Sequence, residues 1–152
     1  DIIDLNIKTV HTLTKLFLKD FKKRNSGYIL NVASLAAFLP GPLMATYYST
    51  KAYVLNLTEA IHEELKQENS NVYIGALCPG PVDTEFNDVA KVHFSVSSQT
   101  PSEVVDYALK KMFRNKLVII PGFKNRLGLF LTKLLPLKLK LKVCYRLQES
   151  KR

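Results

Sequence analysis

In the stretch ATYYSTKAYV, residues 45–54, Tyr47 and Lys51 stand four residues apart. On a helix, that spacing puts both side chains on one face, one turn apart. A free phenol has a pKa of about 10 and is a sluggish proton donor at neutral pH. A neighbouring ammonium favours the phenolate and draws that pKa toward the working range. The pair is therefore suited to hand a proton to an oxygen that is gaining charge, or to take one back. Tyr48 has Ala52 at plus four and Tyr53 has Leu57, so only Tyr47 has the lysine. Tyr48 and Tyr53 are assigned to packing or to an interface. An aromatic helix start with a solvated lysine would show the same spacing, so the surroundings decide.

Those surroundings alternate between helix and strand. Residues 1–25 read as a helix, with Ile2, Ile3, Leu5, Val10, Leu13, Leu16, Phe17 and Phe21 recurring near helical spacing. Lys19, Lys22, Lys23 and Arg24 crowd its C-terminal end, where the helix dipole favours cations. NSG at 25–27 stops it, with Gly27 expected in a left-handed cap. YILNVAS (28–34) and NVYIGAL (71–77) are short runs with few charges and no polar alternation, as in strands covered on both faces. Between them FLPGP (38–42) is a loop, and 46–68 is helical with a Val54, Leu57, Ile61, Leu65 stripe. TPSE at 100–103 is a helix start, with Thr100 as cap, Pro101 at the first position and Glu103 closing a capping box. That helix should run to about Arg114, and KLVIIPG (116–122) reads as a third strand. Helices long enough to be crossovers imply a parallel α/β sheet with right-handed connections.

In open parallel sheets, ligands sit outside the carboxyl ends of the strands. Ser34 ends the first strand, Tyr47 and Lys51 begin the helix after the next loop, and CPGPVDT follows the second strand. The sheet would thus gather them on one edge.

Taken in order, NVAS, YYSTK thirteen residues after Ser34, and PGPVDT after the next strand resemble the short-chain dehydrogenase/reductase family. Asn6 in DLN, 28 residues before Ser34, fits the same pattern, as do NSGYILNVAS and TEAIHEEL. The resemblance covers about residues 1–122. It implies a Rossmann-type doubly wound parallel sheet and an NAD(P)-dependent oxidoreductase that interconverts a carbonyl and an alcohol. Hydride moved onto a carbonyl leaves a developing alkoxide, which Tyr47 would protonate. Lys51 would tune Tyr47 and hold the nicotinamide ribose, while Ser34 would hydrogen-bond the substrate oxygen as charge forms. Asn6 would join a water-linked proton relay. Thr84 would bond the carboxamide, and Pro79, Gly80 and Val82 would line the ring, with Gly80 permitting close backbone approach. The family's dimer interface resembles helices 1–25 and 46–68, so a homo-oligomer is expected.

The sequence departs from the family pattern in one large respect. No Thr-Gly-x-x-x-Gly-x-Gly phosphate loop, no residue selecting NAD or NADP, and no Asn-Asn-Ala-Gly stretch is present. The chain therefore reads as the C-terminal, catalytic part of such a fold (1–122) followed by a basic amphipathic tail (123–152). Alone, it is expected to be inactive, to bind dinucleotide weakly because the pyrophosphate site is missing, and to expose a sheet edge beside YILNVAS. A truncated dimerisation partner without catalysis is the alternative, although Ser34, Tyr47 and Lys51 would then have no physical purpose. The third reading is a membrane-surface module working through the tail.

Composition narrows the rest. The chain has 152 residues, 47% hydrophobic and 23% charged, with a net charge of +9, and suits one globular domain. Nine of the 22 Lys/Arg and one of the 13 acids fall in 124–152, so the tail carries +8 and the other residues +1. Such a tail could meet anionic lipid or an acidic partner; packing of LGLFL and LKLKLK on the body is favoured over membrane contact. LKLKLKV alternates like a strand, but Leu and Lys are good helix formers, and two short amphipathic helices broken near Pro136 are expected. Interleaved aromatics are too few for a nucleic-acid groove. Cys78 and Cys144 are too scattered for a disulfide framework, and Cys78 should be a reduced core residue. The default location is the reducing cytoplasm. His11, His62 and His93 have no partner at metal spacing, so no metal is expected. The family resemblance implies that the 85–99 segment, with Phe86, Val89, Val92, Phe94 and Val96, would form much of the substrate-pocket wall, and its apolar content permits a lipid-like or other small hydrophobic carbonyl or alcohol.

Overall fold

The computed structural model describes residues 1–83 and 99–150. Three parallel strands, β1 (Gly27–Val32), β2 (Val72–Leu77) and β3 (Val118–Ile119), lie in the order β1-β2-β3. Gly27 to Val32 pair in register with Val72 to Leu77. Helix α1 (Val10–Arg24) leads into β1. Helix α2 (Ala45–Gln67) carries the chain from β1 back to the start of β2, the crossover a parallel pair requires. Helix α3 (Pro101–Met112) precedes β3, and α4 (Phe123–Lys133) and α5 (Leu137–Glu149) follow it. This is the incomplete doubly wound α/β arrangement that the alternation predicts.

Strand β2 is the axis of the core, with all six residues buried. Successive strand residues point to opposite faces, and β2 uses both. Val72 and Ile74 pack under Ile61 and Leu65 of α2, and Ala76 packs with Val54, Leu55, Ala33 and Cys78. Tyr73 and Leu77 meet Val104, Ala108 and Met112 of α3, with Ile119. Gly75 makes room for this second layer, since a Cβ there would lie 2.0 Å from the Tyr73 hydroxyl, which donates to Lys116 O at 2.8 Å. Strand β1 lies at an edge, with Tyr28 and Val32 exposed.

A buried polar thread joins three elements. Thr14 Oγ1 of α1 donates to Asn31 Oδ1 of β1 at 3.2 Å, and Asn31 Nδ2 donates to Thr58 Oγ1 of α2 at 3.0 Å. Thr58 Oγ1 in turn donates to Val54 O at 2.7 Å. Each named side chain has a partner, so the thread holds the three elements together without leaving these groups unsatisfied.

Several local expectations need correction. The helix expected over 1–25 opens as a π-helix, Asp4–Thr9, before becoming α-helical. Its apolar stripe is largely on the surface: Ile2, Ile3, Leu5, Leu13, Leu16 and Phe17 are exposed, and Thr14 is its buried residue. The left-handed cap is Asn25, at φ 50°, not Gly27, which has φ 154°. Asn tolerates that region, and its Oδ1 accepts from Asn71 N at 2.8 Å, tying the turn to the entry of β2. The third strand is two residues long where 116–122 was expected. The capping box of Thr100 and Glu103, with Pro101 in the first turn, is formed. The tail folds as two helices, and LKLKLKV lies within α5.

Candidate active site

The site sits where the strands end. Beyond β1 and β2 the ladder continues: Ala33 N donates to Leu77 O at 2.8 Å, and Leu35 N to Pro79 O at 2.9 Å. These bonds place Ser34 beside the Pro79 loop. Ser34 then caps a short 3₁₀ helix, Leu35–Phe38, by accepting from Ala36 N at 3.2 Å. The loop after it turns back through Leu43, at φ 67°, a conformation costly for a branched residue. Met44 follows as N-cap, so α2 begins with Tyr47 in its first turn.

Tyr47 and Ser34 meet through a side-chain hydrogen bond. Lys51, one turn further on, holds its Nζ 5.9 Å from the centre of the Tyr47 ring and donates to Val32 O at 3.0 Å. The three predicted residues are therefore gathered at the carboxyl end of β1. Their electrostatics differ from the sequence expectation. Burial pushes the Tyr47 phenol above its usual range, with the Ser34 bond opposing. Burial likewise pushes the Lys51 ammonium down, with Cys78 opposing. A phenol raised in this way keeps its proton at neutral pH but gives it up less readily than a free one.

Asn6 lies in the π-helical segment, and its Nδ2 donates to Thr50 Oγ1 at 3.1 Å. Thr50 Oγ1 donates in turn to Tyr47 O at 2.8 Å. The side-chain partner of Asn6 is thus Thr50, and sequence reasoning missed that residue. The signal was available: a threonine three residues after Tyr47 can bond back to its carbonyl. Tyr53 and Tyr48 act between elements as packing residues. Tyr53 Oη lies 2.6 Å from His11 Nδ1, and Gln148 Nε2 of α5 donates to the Tyr48 hydroxyl.

The loop after β2 is braced from the side. Val82 forms a parallel bridge with Gln99, Gln99 N donates to Pro81 O at 3.2 Å, and Asp83 N donates to Gln99 O at 3.1 Å. A Cβ on Gly80 would lie 2.7 Å from the Asn125 amide, so glycine lets α4 close over this loop. Asn125 Nδ2 donates to Pro121 O at 2.8 Å. Pro79, Gly80 and Val82 lie in this loop, whereas Thr84 and the expected pocket wall at 86–96 lie outside the described residues. Between the 39–42 loop, α2 and Leu141 of α5 is a cavity of about 370 Å³. Tyr48, Ser49 and Ala52 line it, so it opens on the α2 face next to the one bearing Tyr47 and Lys51. Cys78 is fully buried, and burial pushes its thiol up to about 12. Among the described residues no three His, Cys, Asp or Glu side chains are grouped to hold a metal ion.

The Ser34, Tyr47, Lys51 arrangement can offer a proton and two hydrogen-bonding groups to one oxygen. The nicotinamide-ribose end of a dinucleotide fits that donor set, since an ammonium and a phenol stand side by side at a sheet end.

Comparison with known proteins identifies the family. Residues 1–93 match the model of the family described as short chain dehydrogenase. Dehydrogenase/reductase SDR family member 4 of Bos taurus is 38% identical over 88 residues, 58% of this chain and 31% of that protein. Very-long-chain 3-oxoacyl-CoA reductase of Mycosarcoma maydis is 30% identical over 118 residues, 76% of this chain and 32% of that protein. The structure of a short-chain dehydrogenase from Sphingobium yanoikuyae in complex with NADPH superposes with a TM-score of 0.72 at 30% identity, covering 80% of this chain and 47% of that one. The chain thus spans about a third of the length of these curated relatives. By its matched residues, the chain belongs to the short chain dehydrogenase family.

Proposed function

We propose that this chain is the catalytic, C-terminal part of an NAD(P)-dependent oxidoreductase that interconverts a carbonyl and an alcohol. The observation that carries the reading is the meeting of Ser34 and Tyr47 through their side chains, with Lys51 one turn on and anchored to Val32 O. A bound nicotinamide would supply or accept the hydride. Ser34 would hold the substrate oxygen, and Tyr47, kept protonated by burial, would give its proton to that oxygen as charge develops. Lys51 would hold the ribose hydroxyls and, once withdrawn from Val32 O, would bring its charge toward the phenol. Asn6 acts through Thr50 by fixing the backbone at Tyr47, and the loop with Pro79, Gly80, Val82 and Thr84 would receive the nicotinamide. No glycine-rich phosphate loop lies within the 152 residues, so the pyrophosphate would be held by a preceding part of the parent protein.

A hydrophobic carbonyl is the favoured substrate class. The relative from Mycosarcoma maydis is named for a very-long-chain 3-oxoacyl-CoA, and the segment 85–99 of this chain is rich in Phe and Val. The decisive experiment is Tyr47→Phe in the parent protein, assayed with NADPH and NADH against a panel of hydrophobic ketones. Loss of the acid should lower turnover by about 10²–10⁴-fold, with an unchanged melting temperature. Unchanged turnover would remove Tyr47 from the mechanism.

A further inference from the structure

Helix α4 wears its amphipathicity inside out. Leu129 is buried against the body, and Asn125 and Thr132, on the same side, are half-buried. At 100° per residue the opposite side gathers Phe123, Leu127, Phe130, Leu131 and Leu134. Their exposures are 69%, 46%, 60%, 53% and 68%. Five large apolar side chains in one exposed row are uncommon on a soluble surface and mark a contact.

The neighbouring helix explains what kind. On α5, Cys144 and Gln148 are the buried residues, and Lys138, Lys142 and Arg146 project from the side turned away from them. Residues 124–152 carry +8 in all. An exposed apolar row on one helix and clustered cations on the next, in a tail carrying +8, are complementary in chemistry to an anionic lipid surface, whose acyl boundary would take the row and whose headgroups would take the charges. A second copy of this chain fits worse, because two such tails would be brought face to face.

We infer that α4 and α5 form an in-plane docking surface for anionic membranes. The helices lie on the bilayer and do not cross it: no helix among the described residues is long and apolar enough to span. Seated this way, α4 also braces Gly80 through Asn125, so the lipid surface would lie close to the strand-end site.

The test is vesicle co-sedimentation of the full chain, using phosphatidylcholine alone or with about 30% phosphatidylserine. Binding should require the anionic lipid and fall as salt rises. Lys138→Gln, Lys142→Gln and Arg146→Gln together should weaken it by about a hundredfold. Leu127→Gln with Leu131→Gln should weaken it by at least about tenfold. All five positions are exposed, and circular dichroism melts would verify that both variants fold. Equal binding to neutral and anionic vesicles, or no binding to either, would overturn the inference. So would a Leu127→Gln, Leu131→Gln variant that dissociates a dimer in sedimentation velocity while binding vesicles as before. No cofactor or substrate enters the assay, so its failure leaves the oxidoreductase reading standing.

Discussion

Helices α2 and α4 are both amphipathic, and they face opposite ways. In α2, Val54, Ile61 and Leu65 are turned onto β2 and carry the core, while the first turn delivers Tyr47 and Lys51 to the end of β1. In α4 one apolar residue, Leu129, reaches the body and a row of larger ones stands outside. The two helices share a hydrophobic period, so the period alone does not say where a stripe goes. The number of apolar surfaces within reach decides it. The middle of a covered sheet supplies them to α2, and the edge beyond the short β3 does not supply them to α4.

Substitutions can break this contrast. Ile61, 7% exposed, sits among Leu65, Val72 and Ile74. Ile61→Ala should cost about 2–5 kcal/mol in urea unfolding, from lost burial and the cavity left behind. A cost near zero would mean that α2 does not carry the core.

Alkaline titration probes the strand beneath α2. Burial raises Tyr73 to about 12 from its usual 10.0, and Cys78 to about 12 from 9.0. The folded state then binds more protons than the unfolded state between those values. Stability should be full below about pH 9 and fall as pH rises toward about 12. Urea midpoints that stay level from pH 8 to about pH 11 would contradict the burial of both groups.

A smaller effect is expected at the start of α3. Thr100→Ala removes half of the capping box and should cost about 1 kcal/mol. Smallest of all is Leu127→Ala on the exposed side of α4, expected within about 0.5 kcal/mol of the parent. A cost comparable to that of Ile61→Ala would show the α4 row to be buried against something in solution and erase the contrast.

Much of the fold was legible because its signals are local. The two strands, the α2 stripe and the Thr100 box can each be read within a dozen residues, although only β2 is covered on both faces as expected, Tyr28 and Val32 of β1 being exposed. Ser34, Tyr47 and Lys51 were legible as a set because strand-end geometry converts sequence order into proximity. The remainder depends on partners far along the chain. Asn6 choosing Thr50, Tyr53 meeting His11 and Gln148 reaching Tyr48 across 100 residues leave no periodic trace. Spacing fixes which face a lysine shares, not how deeply the phenol is buried or which way the amine turns, and burial raises Tyr47 here. Lys51 spends its charge on Val32 O. The stripe in 1–25 marked a helix correctly and its burial wrongly, since periodicity is blind to whether a neighbour is present.

The thread from Thr14 through Asn31 to Thr58 works as an alignment pin. Asn31 lies three residues before Ser34 on one element, and Thr58 lies two turns after Lys51 on the other. Sliding α2 along β1 by a single residue would break the Asn31–Thr58 bond and carry Lys51 away from Val32. Axial freedom between helix and strand thereby becomes an all-or-none condition. The spacing of serine and lysine is set at a point remote from either, where a substitution would look harmless to an inspection of the strand ends alone.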